Sequence, residues 1–204
     1  MKYAALIRYL AAARMPLPPV RAALEYVLAG NGLFARGVRR GVSVTMPVMP
    51  CTVKGLNPLT PSFALHYPLV PAAIMEAMLD MARSARDADG DPAEIVFHVR
   101  WAGSTWRLDV PLQTHDSAHA QPLGEAIGSS YAAALIEVHS HHALPAFFSS
   151  TDDADETGFR IFVVLGDIFT QPRIRVRVGL YGHYWPIPAH WVFTLRPGIT
   201  DLKA

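Results

Sequence analysis

Residues 137–152 read EVHSHHALPAFFSSTD, and this stretch contains the strongest structural and chemical signals of the chain. The stretch begins at the end of an apolar run. It contains two histidines, His139 and His141, with one residue between them. Residues two apart in a β-strand lie on the same face, so the two imidazoles are expected to point the same way. Asp152 follows after a turn-forming segment that is rich in serine. The pattern predicts a strand that ends at a metal site.

Three protein ligands, with a fourth position left for water or substrate, are typical of catalytic zinc sites. We therefore expect Zn²⁺ as the cofactor, with His139, His141 and one of the adjacent carboxylates, Asp152 or Asp153, as its ligands. Two ordinary interpretations compete with this prediction. A histidine on a strand is often a core residue, and Asp152 could begin a helix as its N-cap, since acidic residues follow it.

The spacing His-x-His, seven residues, Ser, two residues, Asp resembles the signature of the JAMM (MPN+, JAB) zinc metalloproteases. These enzymes are isopeptidases that cut ubiquitin-like proteins from amines. One position departs from the family pattern, because His142 stands where the family usually has proline and the next proline is Pro145. Residues 141–156, together with the later segment 179–183, resemble a narrower group, the JAMM-type components (protein A) of the PRTRC system of bacterial mobile elements.

The resemblance implies a role for each polar position. It selects Asp152 over the adjacent Asp153 as the third ligand, and it implies that Ser149 stabilises the oxyanion of the tetrahedral intermediate. It also implies a glutamate as general base at the start of the strand after the first helix, and Glu94 matches that context. Glu137 is the alternative base, because strand alternation places it on the same face as the two histidines. It would equally suit a partner that orients an imidazole.

The resemblance implies a cytoplasmic, zinc-dependent isopeptidase or peptidase. This enzyme would hydrolyse an amide bond at the C-terminal tail of a ubiquitin-like protein or a similar peptide. The implied partners are this substrate and an E1-like protein of the same gene cluster. The alternative is a non-catalytic binding platform of the MPN type. A nucleic-acid enzyme is disfavoured, since the net charge is only +1 and the sequence contains no long basic run.

The order of predicted elements indicates an α/β fold. A helix over residues 71–85 is followed by strands near 94–101 and 131–141, a helix start at 152–157, and strands at 160–166 and 173–181. This order predicts a JAMM/MPN-like (cytidine-deaminase-like) mixed sheet flanked by helices in residues 68–204. Residues 1–67, rich in proline and glycine, predict a small strand-and-turn extension of unknown role. Residues 112–128 are predicted to be a loop that forms a flap near the site.

Composition supports a globular protein, with 51% apolar and 17% charged residues. Cys51 is the single cysteine, which excludes an internal disulfide and fits a reducing cytoplasm. The apolar run at residues 2–13 is interrupted by Arg8, so neither an export signal nor a membrane helix is expected. Its apolar residues instead fit one stripe of a helix. Met15 is an alternative start of the protein.

Several further side chains have two interpretations each. His98, on an apolar strand, is expected in the core, and alternation turns His142 away from the metal site. His183 and His190 could line a substrate channel or belong to an aromatic packing cluster. The remaining pair, Phe147 and Phe148, could form a wall beside the scissile bond or anchor the loop that carries them.

Overall fold

The computed structural model describes residues 5–115, 120–122 and 130–202. In these ranges the chain is mostly β-structure. The strands are β1 (Ala5–Ala11), β2 (Ala22–Ala29), β3 (Gly32–Arg39), β4 (Val42–Met49), β5 (Ser62–Leu65), β6 (Val96–Ala102), β7 (Thr105–Asp109), β8 (Gln113–His115), β9 (Ala120–Pro122), β10 (Ile136–His141), β11 (Phe159–Gly166), β12 (Arg173–Leu180), β13 (His183–Ile187) and β14 (Thr200–Asp201). The helices are α1 (Ala72–Ser84), α2 (Ser130–Ala133) and α3 (Ser150–Asp155), and a 3₁₀ turn covers Ala189–Trp191.

The first sheet contains β1 to β5 in sequence order. Strand β1 is parallel to β2, and the other neighbours are antiparallel. The turn between β3 and β4 requires a glycine at Gly41, whose φ of 96° lies in the left-handed region. Apolar side chains from the sheet and its connections pack into a core cluster, formed by Ala12, Val27, Ala29, Phe34 and Leu59.

Strand β1 corrects the prediction of a helical stripe at the N-terminus. Its backbone pairs with β2, with Ile7 opposite Leu24, while Leu6 and Tyr9 are 78% and 77% exposed. A helix of this length is not stable without packing of its apolar face. Pairing with a buried neighbouring strand satisfies the backbone instead, and this long-range pairing decides the structure of the segment.

The second sheet has the strand order β13-β12-β11-β10-β6-β7, and β14 pairs with β12. Strand β10 lies between β11, to which it is parallel, and β6, to which it is antiparallel. All eight residues of β11 are buried. An apolar run such as its residues 161–165 is typical of a strand covered on both faces. Strand β10, which carries the two histidines, therefore pairs with a completely buried strand.

The prediction of a helix-flanked α/β fold of the JAMM/MPN type is wrong. The described ranges contain two mixed sheets and three helices, of which only α1 is longer than two turns. The sequence prediction treated residues 131–141 as one strand, whereas residues 130–133 form the short helix α2 and only 136–141 are extended. Strands that pair across long sequence distances, such as β1 and β14, lack a strong local pattern and were missed.

The predicted helix over residues 71–85 is confirmed by α1. Proline at position 71 precedes the first turn, where its missing N–H has no cost. The buried face of α1 consists of Met75, Met78, Leu79 and Ala82. Among the described residues, no helix is long and apolar enough to cross a membrane.

The chain divides into two compact units. The first comprises the residues up to Tyr67 together with Thr157–Phe159 and Val178–Trp185. The second comprises Pro68–Glu156, Arg160–Arg177 and the residues from Pro186 onward. The predicted metal ligands and both candidate bases lie in the second unit.

Candidate metal site

Strand β10 places the two histidines on one face of the second sheet. Ile136 and Val138, which alternate with them, are completely buried on the other face. His139 lies opposite Val96 of β6 and Val164 of β11, so strands on both sides hold its backbone. The predicted strand alternation therefore holds for this part of the chain.

The two imidazoles converge on Asp152. The Nε2 atom of His139 lies 3.1 Å from Nε2 of His141 and 3.4 Å from Oδ1 of Asp152. The ligand-capable atoms of the three residues all lie within 4.8 Å of one another. Tetrahedral zinc, with bonds of about 2.0–2.1 Å, keeps its ligand atoms about 3.3 Å apart. This spacing fits zinc, and the same donor atoms also suit other first-row transition metals.

The tautomer of His141 follows from its contact with a backbone carbonyl. Its Nδ1 atom lies 3.1 Å from the carbonyl oxygen of Pro145. Because a carbonyl oxygen can only accept, Nδ1 carries the proton. The neutral ring then presents the lone pair of Nε2 toward His139 and Asp152, which is the orientation that a metal ligand needs.

Burial keeps both rings neutral. It lowers the pKa of His139 to about 4, although Asp152 acts in the opposite direction. Burial also lowers the pKa of His141, against the effects of the Pro145 carbonyl and Asp152. Metals bind the neutral imidazole, so neither ring has to lose a proton near pH 7 before it can bind one.

Helix α3 holds Asp152 in place through a reciprocal cap. Ser149 is the N-cap residue, and its Oγ accepts a hydrogen bond from the backbone N–H of Asp152 at 3.2 Å. The backbone N–H and the hydroxyl of Ser149 donate to Oδ2 of Asp152 at 2.5 and 2.7 Å. This arrangement is a capping box. It uses one carboxylate oxygen of Asp152 and directs the other, Oδ1, toward His139.

The structure separates the two adjacent aspartates. Asp153 turns to Arg177, whose Nη1 donates to its Oδ1 at 2.5 Å. Only Asp152 joins the histidines in the group of ligand-capable atoms among the described residues. The structure also places Ser149 in contact with Asp152, so its predicted role toward an oxyanion stays a prediction.

Glu94 lies close to the histidine pair. Its side chain is buried, and its Oε1 is 3.9 Å from Nε2 of His141. The segment that carries it is attached to β10 through Ser140, whose hydroxyl accepts from the N–H of Ile95 at 3.2 Å. In return, the N–H of Ser140 donates to the carbonyl of Ile95 at 3.1 Å. Ser140 is buried and was not singled out from the sequence, yet it fixes Glu94 next to the site.

Glu137, the alternative base, is held by an ion pair. Arg160 donates to its carboxylate at 2.7 Å, and Nε2 of His98 lies 3.6 Å from the same oxygen. Burial raises the pKa of Glu137, but the contacts with His98 and Arg160 outweigh it and leave the pKa below its usual range. A carboxylate that remains ionised and paired is a poor proton acceptor. The geometry therefore favours Glu94 as the base.

Two residues near His139 were not predicted. Glu156 is buried, and its Oε1 lies 4.0 Å from Nδ1 of His139. Arg177 donates to the other oxygen of Glu156 from Nε at 2.8 Å and from Nη2 at 2.5 Å. Burial raises the pKa of Glu156 to about 8, while Arg177 acts in the opposite direction. The available sequence signal was the spacing of four residues from Asp152, which places both carboxylates on one side of a helical turn.

The two phenylalanines of the loop have different environments. Phe147 is 41% exposed, and its ring centroid lies 4.7 Å from that of His141. Phe148 packs under the guanidinium group of Arg177, 3.9 Å from its ring centroid. Phe148 thus belongs to the packing of the loop, and Phe147 offers an apolar surface beside the site.

In the part of the chain that the structure describes, the other histidines singled out from the sequence lie outside the group of ligand-capable atoms. His98 is completely buried, as predicted, and its Nδ1 is 2.7 Å from the hydroxyl of Ser130. His142 accepts at Nδ1 from the N–H of its neighbour Ala143. His183 contacts the hydroxyl of Tyr26 at 2.7 Å, and the exposed His190 lies 3.6 Å from Asp201.

The predicted flap is described only in part. Strands β8 and β9 pair as a small antiparallel hairpin, and residues 116–119 and 123–128 lie outside the described residues. The side chain of Gln113 accepts from the N–H of Val96 at 2.7 Å and donates to its carbonyl at 3.1 Å. It thereby occupies the edge of β6 at the residue opposite His139.

No family model matches this chain, and no curated protein matches it.

Proposed function

We propose that this protein is a zinc-dependent hydrolase of amide bonds, of the isopeptidase type. The observation that carries the proposal is the convergence of His139, His141 and Asp152 within 4.8 Å, with Glu94 at 3.9 Å from His141. The spacing of these residues, which resembles the JAMM signature, supports the same chemistry. The proposal does not depend on the overall fold.

Each residue at the site has a defined task in this reaction. His139, His141 and Asp152 would hold the zinc ion. Zinc bound there would supply the Lewis acidity that activates water for attack on an amide carbonyl near neutral pH. Glu94 takes a proton from the attacking water as general base and returns it to the departing amine. Ser149 holds Asp152 through the capping box.

The substrate class follows from the resemblance and from the surroundings of the site. We propose the C-terminal tail of a ubiquitin-like protein or a similar peptide in a cytoplasmic setting, with an E1-like protein as a further partner. Phe147, exposed beside His141, offers an apolar contact to an extended chain. The leaving group is an amine, which Glu94 can protonate.

A non-catalytic binding platform is the second candidate function. One observation favours it: the two Nε2 atoms, 3.1 Å apart, can share one N–H···N hydrogen bond and satisfy both rings without a metal. Under this alternative the cluster stabilises the loop after β10, and zinc does not bind.

Elemental analysis tests the zinc site. We expect about one zinc per chain in the wild type and in Asp155→Ala, an exposed control on the same helix, and loss of zinc in Asp152→Ala. Wild-type protein that holds no zinc, even after reconstitution, would contradict the proposal and favour the platform.

Turnover of a fluorogenic amide of a ubiquitin-like C-terminal peptide tests the base. Glu94→Gln should keep its zinc and lose about 10²–10⁴-fold in turnover. Unchanged turnover in this variant would remove Glu94 from the mechanism.

A further inference from the structure

We propose that Glu156 is a positioning residue of the metal site, which acts through His139 and is itself held by Arg177. The inference rests on the proposed function, because orienting the ring matters only if a metal binds. It assigns a role to a buried carboxylate that the proposed reaction does not otherwise use.

The two oxygens of Glu156 face different partners. Oε2 accepts both hydrogen bonds from Arg177, and Oε1 faces Nδ1 of His139 at 4.0 Å. The side chains of Glu156 and Arg177 are each only 6% exposed. A separation of 4.0 Å is longer than a hydrogen bond, so a small rotation of the ring has to close it. Contacts of this kind commonly tighten when a site is loaded.

The protonation of a metal-binding imidazole explains why an acceptor is needed there. A neutral ring carries one proton, and binding through Nε2 requires that proton on Nδ1. For His141 the acceptor is the carbonyl oxygen of Pro145, at 3.1 Å. A bound cation and Arg177 would both favour the ionised form of Glu156, whose Oε1 is then placed to serve the Nδ1 side of His139 in the same way. Each histidine would then have an acceptor on the side away from the metal.

Arg177 restrains the orientation of this carboxylate. Its guanidinium group donates to Glu156 and to Asp153, and it stacks on the ring of Phe148 at 3.9 Å. Contacts on three sides fix the plane of the guanidinium group. The carboxylate that it binds through two nitrogens therefore cannot rotate freely away from His139.

An alternative reading makes Glu156 only the partner of a buried arginine, and Glu25 provides a matched control for it. Glu25 is fully buried, accepts from Arg36 at 2.8 Å, and belongs to the first compact unit. Glu25→Gln weakens the same kind of ion pair without touching the metal site. A purely structural role for Glu156 predicts that variants at both positions lose stability and that neither changes zinc affinity.

The test is the zinc dissociation constant, measured by chelator competition for wild type, Glu156→Ala, Glu156→Gln and Glu25→Gln, with thermal unfolding of each. We expect Glu156→Ala to bind zinc about 10–100-fold more weakly. Glu156→Gln keeps an oxygen acceptor and should recover part of this loss. If Glu156→Ala does not fold, Glu156→Gln still tests the inference. Glu25→Gln should bind zinc as the wild type does.

Nitrogen NMR of the zinc-loaded rings supplies a second readout that packing alone would not change. We expect a protected Nδ1–H on His139 in the wild type, and rapid exchange of that proton in Glu156→Ala. Wild-type zinc affinity and a protected proton in the Glu156 variants would overturn this inference alone. Absence of zinc binding by the wild type would contradict the proposed function itself.

Discussion

The imidazole rings of His139 and His141 are both largely buried and uncharged. Only 11% and 6% of their side-chain surfaces are exposed, and burial costs the protonated rings more than they gain from Asp152. The same burial that suits the rings to metal binding therefore makes the metal-free protein sensitive to acid.

The pKa of His139 predicts the direction of this sensitivity. Its folded pKa of about 4 lies below the ordinary value of 6.5, so between these values the unfolded chain binds a proton that the folded protein does not. The free energy of unfolding therefore falls as the pH decreases from 6.5 toward 4, by up to about 3 kcal/mol from this residue. Urea unfolding of chelator-treated protein between pH 4 and 7 measures it.

His139→Gln is the control for this prediction. Glu156 contributes with the opposite sign, since burial raises its pKa to about 8 and its contribution falls as the pH rises from 4.5 to 8. Subtracting the curve of the variant isolates the part due to His139. A pH-independent difference between the two proteins would show that His139 does not titrate as predicted.

At the scale of elements, α3 and the end of β11 bring the ligands together. Helix α3 has six residues and depends on its cap, because a helix this short gains little from its own hydrogen bonds. Strand β11 ends at Gly166, opposite His141, where the loop after β10 passes close to its backbone. Helix α3 supplies the proposed ligand Asp152, whereas the end of β11 supports the loop after β10 without supplying a ligand.

Substitution of Ser149 distinguishes the cap from the predicted oxyanion role. If the capping box is its main task, Ser149→Ala lowers the free energy of unfolding by about 1 kcal/mol and weakens zinc binding, because Oδ2 of Asp152 loses the hydroxyl donor and keeps only the backbone N–H of residue 149. Ser149→Thr, which keeps the hydroxyl, should resemble the wild type. Full zinc affinity in Ser149→Ala, with turnover reduced about 10²–10³-fold, would instead support the oxyanion role.

A methyl group at Gly166 should disrupt the loop after β10. A Cβ there would lie 2.1 Å from the N atom of Ala146 and 2.4 Å from the carbonyl carbon of Pro145, so the backbone has to move. The Pro145 carbonyl then leaves Nδ1 of His141. We expect Gly166→Ala to lose about 1–3 kcal/mol of stability and to bind zinc more weakly.

Gly90→Ala is the control for this substitution. Its Cβ would meet nothing within 4 Å, so only left-handed strain of about 1–2 kcal/mol is expected, with unchanged zinc affinity. Chelator competition and denaturant unfolding measure both variants. Wild-type zinc affinity in Gly166→Ala would show that the loop does not orient His141.

At the scale of the whole molecule, the first compact unit is discontinuous in sequence, and its last segments follow most of the residues of the second unit. Residues 157–159 and 178–185 join the unit that the N-terminal sheet begins. Gly37 illustrates the packing there, because a Cβ at this position would lie 2.8 Å from Leu180 and 3.1 Å from Phe159. Both of these apolar side chains are buried.

Removal of residues 1–67 should therefore prevent cooperative folding of the remainder. Leu180 and Phe159 would lose their packing neighbours in the first unit, and exposure of buried side chains of this size costs about 1.5–3 kcal/mol each. We expect a broad unfolding transition and binding of an apolar dye by residues 68–204. A sharp transition with full zinc affinity would contradict this prediction.

The candidate site was more predictable from the sequence than the fold. The positions of His139 and His141 on one strand face follow from a local period of two, and α1 follows from a local helical period. Glu156 and Arg177 lie 21 residues apart and were missed, since no local period connects them. The helix-flanked sheet was also predicted incorrectly, because edge strands such as β1 are defined by their partners rather than by their own pattern.

The sequence by itself determined the strand that carries the two histidines, helix α1, the acidic start of α3 and the spacing of the proposed ligands. These features depend on neighbouring residues, whose geometry is set by backbone periodicity. Only the tertiary structure decided that Arg160 holds Glu137 and that Glu156 lies next to Nδ1 of His139. Such contacts join distant parts of the chain. The burial and pairing of these side chains are therefore defined only when the sheets have formed.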